Sequence, residues 1–386
     1  MTRSTVATID LDALAANLAQ IRLQAPAAAV LAMVKANAYG HGMVPIARVL
    51  QHLGVDMLGV AFVDEAALLR SHGISIPITV LTPIEPEEAG LAIELGVTAV
   101  VCDLEHARWL SHAAVASQRQ IGVHIYVDTG MHREGFSPLQ VPGSAEVIRK
   151  LPGLYLDGIC THFATSDDPQ STFLEHQLST FAHVVEECSS LGITFANIHA
   201  ANTGAIWRSA QTHFTMIRPG LSLYGYSAHP ADNAALRPAM SVTSRIVSMR
   251  RIRAGESVSY GRRFVAESDT TIATIPIGYG DGYQRRLTGK AWCIVGETLY
   301  PVVGTVCMDE IMVDVGDAPV SLGDKVILIG SSEKGLNATS ITAVTLAEWA
   351  DTIPYDITTG ISQRVPRVYV GAKHLVDLVN VDSSHV

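Results

Sequence analysis

The sequence predicts an α/β protein, with a (β/α)8 TIM barrel over residues 1–235 followed by a mainly β domain over residues 236–386. Three observations lead there. In the first part, eight short apolar, β-branched runs alternate with amphipathic stretches, the pattern of βαβ units in the number that closes a parallel barrel. After about residue 236, strand-like runs follow one another with little helix between them. A chain of 386 residues that is 48 % hydrophobic is also long enough for more than one compact core.

Taken in order, the N-terminus, MTRSTVATIDLDALAANL, leads straight into a helical pattern. The barrel runs are Ala29–Val34, Met57–Val60, Ile78–Leu81, Thr98–Val101, Ile121–Val127, Leu154–Cys160, Phe195–His199 and Thr215–Ile217. Between them lie Pro45–Leu53, Glu65–Ser71, Glu87–Leu95, Glu105–Ser117 and Thr172–Leu191, whose apolar residues recur at helical spacing. An open doubly wound sheet is the rival. It requires a Gly-rich dinucleotide turn after an early strand, and the sequence has none. The second domain, joined through the segment around Ser227–Pro238, reads as Ser241–Ile252, Thr270–Ile277, Ala291–Val295, Tyr300–Val306, Ile311–Val315 and Lys325–Ile329. Thr339–Trp349 is its one helical stretch.

Composition narrows the function classes. A net charge of −10 without a concentrated basic face argues against nucleic acid. No run is long and apolar enough to cross a bilayer, and the first residues lack a signal-peptide core. Cys102, Cys160, Cys188, Cys293 and Cys307 are scattered and form no CxxC pair, which fits a reduced cytoplasmic protein and no metal site.

Polar residues gather where such barrels place their chemistry, at the carboxyl ends of the strands. Lys35 directly follows the run AVLAMV. By position alone, a lysine reaching out at the barrel rim explains it. A covalent bond to an aldehyde cofactor would also relieve the cost of holding an ammonium there. Asp128, Thr129 and Arg133 follow the fifth run, and a capped turn accounts for the first two. His162 follows the sixth run, Asn202 and Thr203 the seventh, and Arg218 ends the eighth. Each has a structural explanation, as a satisfied histidine or a rim ion pair. Five such strand ends in one barrel argue for a site. The loops holding Asn202–Thr203 and Gly220–Leu221 are those with which barrels often bind phosphate.

VKANAYGHG at 34–42 resembles the cofactor-lysine motif of the alanine racemases, enzymes that use pyridoxal 5'-phosphate (PLP). The resemblance continues in order through DTGMHR (128–133), THFA (161–164), HAANT (199–203), RPGLSLYG (218–225), VSYG (258–261), IGYGDGYQRR (277–286), GTVCMD (304–309) and RVPR (364–367). It implies a PLP barrel followed by a β domain, an amino-acid substrate and a homodimer whose two sites are each shared between subunits. Carried over position by position, it implies that Lys35 bonds the cofactor and is one base. Tyr260 from the partner subunit is the other base, with His162 beside it. Tyr39, Asn202, Thr203, Gly220 and Leu221 hold the phosphate, with Thr203 standing where a serine is usual, and Arg218 meets the pyridine nitrogen. Arg133 lies near the substrate carboxylate, Met308 and Asp309 contribute to the substrate pocket, and Tyr279 narrows the entrance. Removing a proton from one face of Cα and delivering one to the other calls for two bases. A tyrosine in water ionises only near pH 10, so help from His162 and Arg218 is expected.

The chain departs from the family pattern at three positions. Tyr126 stands where many members have a lysine modified to a carbamate, Thr305 replaces an entrance arginine, and Gln363 replaces a tyrosine. Arg285, Asp167 and Ile361 keep the usual types. Thr305 and Gln363 are expected to widen the pocket or its entrance. The leading reading is an alanine racemase. The alternatives are a serine or broader small-amino-acid racemase of the same architecture and a barrel PLP decarboxylase, which should carry other C-terminal motifs. A single-barrel PLP-carrying protein is disfavoured by the long β domain.

Overall fold

The structure is a computed structural model describing residues 3–227, 235–332 and 339–379. Most of the expected joining segment, residues 228–234, lies outside the described residues. The chain forms two compact units. Residues 14–38, 43–227, 235–237 and 378–379 make up one; residues 3–13, 39–42 and the described part of 238–377 make up the other.

The first unit is a closed parallel barrel. Its strands are Ala29–Met33, Met57–Val60, Ile78–Val80, Thr98–Val101, Ile121–Tyr126, Leu154–Cys160, Asn197–His199 and Met216–Ile217. Each pairs with the next, and Val30 opposite Ile217 closes the ring. These strands read as near-continuous apolar runs because a parallel barrel strand is covered on both faces. Met57–Val60 and Thr98–Val101, for example, are buried throughout. The expected helices are present, with Glu87–Leu95 resolved into a 3-10 turn, Pro86–Glu88, and the helix Ala89–Glu94. Interior volume is fully used: a Cβ added to Gly59 would fall 2.4 Å from a Leu31 methyl carbon. On the fifth strand His124 and Tyr126 lie two residues apart and share a face. Both are buried, and Tyr126 packs with Val100 and Cys160.

The second unit is built on a sheet with the strand order Ser248–Ile252, Thr270–Ile275, Ile311–Asp314, Thr298–Val303, Trp292–Val295, Lys325–Ser331, Met240–Arg245, Val6–Asp10 and Arg367–Val370. Three expectations need correction. The N-terminus does not run straight into helix: Val6–Asp10 is a strand, antiparallel to Met240–Arg245 and parallel to Arg367–Val370. Ser241–Ile252 is two strands, because the chain changes partner at its middle. Ile246 N–H bonds to the Asp324 carbonyl and Val247 N–H to that of Thr274. Thr339–Trp349 is not the one helical stretch. The helix there is Ala343–Ala350, N-capped by Thr342, and Pro354–Gly360 and Lys373–Val379 are helical as well. Proline at the first turn of Pro354–Gly360 starts a helix rather than breaking one. No helix among the described residues is long and apolar enough to cross a membrane.

Candidate active site

The mouth of the barrel begins at Lys35, where the first strand passes into a left-handed turn. Ala36, Asn37, Ala38 and Tyr39 all have φ between 51 and 54°. Left-handed backbone costs a non-glycine residue roughly 1–2 kcal/mol, so four in succession must be held from outside. Glu65 does part of this. Its carboxylate accepts the N–H of Ala36 at 2.7 Å and that of Ala61, at the end of the second strand, at 2.7 Å. Asn37 accepts the N–H of Met43 at 2.8 Å. At the far end of the turn, in the β unit, Arg367 donates from Nε and Nη2 to the Gly40 carbonyl. Gly40 has φ +85°, and a Cβ there would sit 2.0 Å from the Thr358 oxygen.

Lys35 stays open to solvent, yet Nζ makes no salt bridge or hydrogen bond among the described residues. Its pKa is lowered, first by partial desolvation at the barrel mouth, then by the Arg133 guanidinium and, more weakly, by Arg218; Glu65 and Glu134 oppose this. Such a cation suits a covalent bond that removes its charge.

Arg218 is buried at the end of the eighth strand. Its Nη1 donates to His199 Nδ1 at 2.8 Å and to the His199 carbonyl at 2.9 Å. Nη2 donates to the carbonyls of Thr161 (2.8 Å) and Ala200 (3.0 Å) and to His162 Nδ1 (3.2 Å). A guanidinium has donors only, so both facing ring nitrogens must be acceptors. His199 then carries its proton on Nε2 and donates to His124 Nδ1 at 2.8 Å, and His124 Nε2 donates to Asp157 at 3.0 Å. By the same rule His162 carries its proton on Nε2, the nitrogen that can donate to a phenolate. Arg218 Nε–H is the one donor of this guanidinium with no partner among the described residues. It suits a pyridine nitrogen that accepts.

Thr203 is buried, and its Oγ1 accepts the N–H of Gly220 (3.2 Å) and of Ser222 (3.3 Å), drawing together the loops after strands seven and eight. Asn202 caps the helix Thr203–Arg208 through Ala205 N–H. Leu221, the residue after Gly220, opens a buried 3-10 turn. Asp128 caps its own loop, taking the N–H groups of Gly130 and His132 at 3.0 Å each. Thr129 does not cap the turn: it is buried and bonded to Thr161 and Gln177.

In the β unit, Tyr260, Tyr279, Met308, Asp309 and Gln363 lie on neighbouring loops. Tyr279 N–H bonds to the Cys307 carbonyl at 3.0 Å, and Gly280 N–H to that of Met308 at 2.9 Å. Arg364 bonds to Asp309 at 2.6 Å and reaches buried Asp281, which also holds Arg3. Tyr260 is 72 % exposed, Met308 51 % and Tyr279 42 %. Gln363 is exposed. Thr305 does not line an open entrance. It is buried and donates to the Tyr260 carbonyl at 2.7 Å, while the Ser259 hydroxyl donates to the Thr305 carbonyl. Tyr39, also buried, packs its ring against Tyr355 at 5.8 Å.

The alanine racemase N-terminal domain profile matches residues 9–228, and the C-terminal domain profile matches residues 239–369. The chain belongs to the alanine racemase family. It is 39 % identical to an alanine racemase of Desulforamulus reducens over 372 residues, covering 95 % of this chain and 98 % of the other. Among solved structures, alanine racemase from Streptomyces lavendulae superposes with a TM-score of 0.90 at 35 % identity, covering 97 % of this chain and 99 % of that one. The enzyme from Bartonella henselae, described with covalently bound pyridoxal phosphate, gives a TM-score of 0.86 at 27 % identity, covering 95 % and 99 %. Membership makes the chain a racemase, an isomerase of a PLP-dependent family.

Glu65, His124, Asp157 and Gln177 went unmarked in the sequence, and Arg367 entered only as the last residue of RVPR. Glu65 follows the second barrel strand closely and could have been sought at that strand end. Gln177, which bonds to Thr129, the His162 carbonyl and Ala164 N–H from within a helix, left no signal.

Proposed function

We propose that this member of the family interconverts L- and D-alanine with pyridoxal 5'-phosphate held on Lys35, by a two-base mechanism. The observation that carries the reading is Lys35 itself, a strand-end cation with a lowered pKa and no counter-ion contact among the described residues, in the same unit as Arg218, whose Nε–H is without a partner among them. The chain's own residues divide the work. Asn202, Thr203, Gly220 and Leu221 hold the phosphate, and Arg218 donates to the pyridine nitrogen and keeps it unprotonated. When bound, the cofactor supplies the electron withdrawal that acidifies the substrate Cα–H. Arg133 meets the substrate carboxylate. Lys35 Nζ moves a proton on one face of Cα, and the phenol oxygen of the partner's Tyr260 moves one on the other. His162 Nε2–H donates to that phenol oxygen and orients it.

Pairing of two chains would cover Tyr260, Met308 and Tyr279, whose exposure on one loop cluster is the apolar surface a partner buries. Asp309 lies beside Met308, with Tyr279 and Gln363 at the edge of the substrate pocket. The five unpaired cysteines accord with the reducing cytoplasm. The test is direct. Purified holoenzyme should convert L-alanine to D-alanine faster than it converts L-serine, and borohydride followed by peptide mapping should find the pyridoxyl group on Lys35. A label on another lysine, or no enantiomer exchange, refutes the reading.

A further inference from the structure

We propose that Tyr126 is the residue that positions Arg133: its phenol, at the end of the fifth barrel strand, fixes the guanidinium so that Nη1 is left for the substrate carboxylate. This rests on the reading of Arg133 given above. Arg133 sits on an exposed loop, 51 % of its side chain open to solvent, and without an anchor it would sample many rotamers. Tyr126 is anchored. Its ring is buried against Val100 and Cys160, and the loop returns onto it, with Phe136 N–H bonded to the Tyr126 carbonyl at 2.9 Å. Gly135 passes so close that an added Cβ would fall 2.6 Å from the Tyr126 ring.

Arg133 Nη2 donates to the Tyr126 hydroxyl at 3.3 Å. Glu134, whose side chain is 13 % exposed, takes Nε (3.3 Å) and Nη2 (3.1 Å) through one carboxylate oxygen. Nη1 carries no hydrogen bond among the described residues. Burial raises the Tyr126 pKa, so the anchor is a neutral phenol that accepts from the guanidinium without cancelling its charge. Glu134 alone would permit the guanidinium to swing about a single oxygen. Two anchors on different elements define its plane.

The position of Arg133 can be read without catalysis, because its charge lowers the Lys35 pKa. The titratable groups facing Lys35 among the described residues are Arg133 and Glu134 from the loop after the fifth strand, His162 after the sixth, Arg218 from the eighth, and Glu65 after the second. In cofactor-free protein, the rate of Lys35 acetylation by acetic anhydride against pH, with peptide mapping, gives that pKa. Tyr126→Phe keeps the buried ring and removes one contact. It should raise the Lys35 pKa and, in holoenzyme, raise KM for L-alanine about tenfold with kcat changed less than about twofold, the size of one hydrogen bond to a charged group. In an Arg133→Ala background the same substitution should change neither quantity. An unmoved Lys35 pKa, an unmoved KM, or an equal effect without Arg133 overturns the proposal. Absence of racemisation in the wild type would refute the proposed function instead, and the acetylation profile would still decide whether Tyr126 holds Arg133.

Discussion

His162 is kept uncharged deep into the acid range by its surroundings. Desolvation is the largest cause; Arg218, Arg133 and Lys35 add repulsion, and together they push its pKa from the ordinary 6.5 down to about 3. A free imidazole in the unfolded chain takes up a proton as the pH falls through 6.5, while the folded protein does not until about pH 3. The unfolded state therefore binds more protons across that window, so stability is full above pH 6.5 and is lost on acidification towards 3. His199, depressed by burial and by the same Arg218, adds to the trend in the same direction. Urea unfolding of the cofactor-free protein between pH 7 and 4 should show His162→Gln losing less stability than the wild type. Parallel losses would mean that His162 is already protonated in the fold.

The left-handed turn after Lys35 reverses an ordinary rule at the scale of one element. In the interior of a right-handed helix such as Leu104–Ala116, Ala113→Gly should cost about 1 kcal/mol. Ala36, with φ 51°, stands in a region that glycine enters freely and alanine does not. Ala36→Gly should then leave stability unchanged or raise it by up to about 1 kcal/mol, while loosening Lys35 and lowering kcat. Equal destabilisation at both positions, measured by chemical denaturation, would show the turn to be unstrained. Sequence reading reached the elements unevenly for physical reasons. The barrel strands were legible because they are buried on both faces and uninterrupted. Val6–Asp10 was not, since it is short, adjoins a helix, and owes its existence to partners at 240–243 and 367–370. The strand-end polar residues Lys35, His162 and Arg218 could be found by position. The His124–His199 chain behind Arg218 could not, because buried histidines on strands resemble any other core residue. Thr305 was read as an opening, whereas its hydroxyl ties down the backbone of Tyr260.

At the scale of the molecule, the two proposed bases need not come from one chain. Mixing Lys35→Ala subunits with Tyr260→Phe subunits should restore about half of the activity per mixed dimer, since one of its two sites would have both bases. Verified heterodimers without recovery would mean that each site draws both bases from a single chain. The first strand has a further consequence, for the order of events during synthesis. Val6–Asp10 leaves the ribosome before every barrel strand, yet its two neighbours in the sheet are Met240–Arg245 and Arg367–Val370. The barrel strands, whose partners follow one another closely, can assemble as they emerge. The leading segment must wait, unpaired, until residues 240–245 have been made, and for its second neighbour until residues 367–370 follow. A nascent chain arrested before residue 367 would have Val6–Asp10 still lacking one edge, a row of backbone donors and acceptors open to any other extended segment.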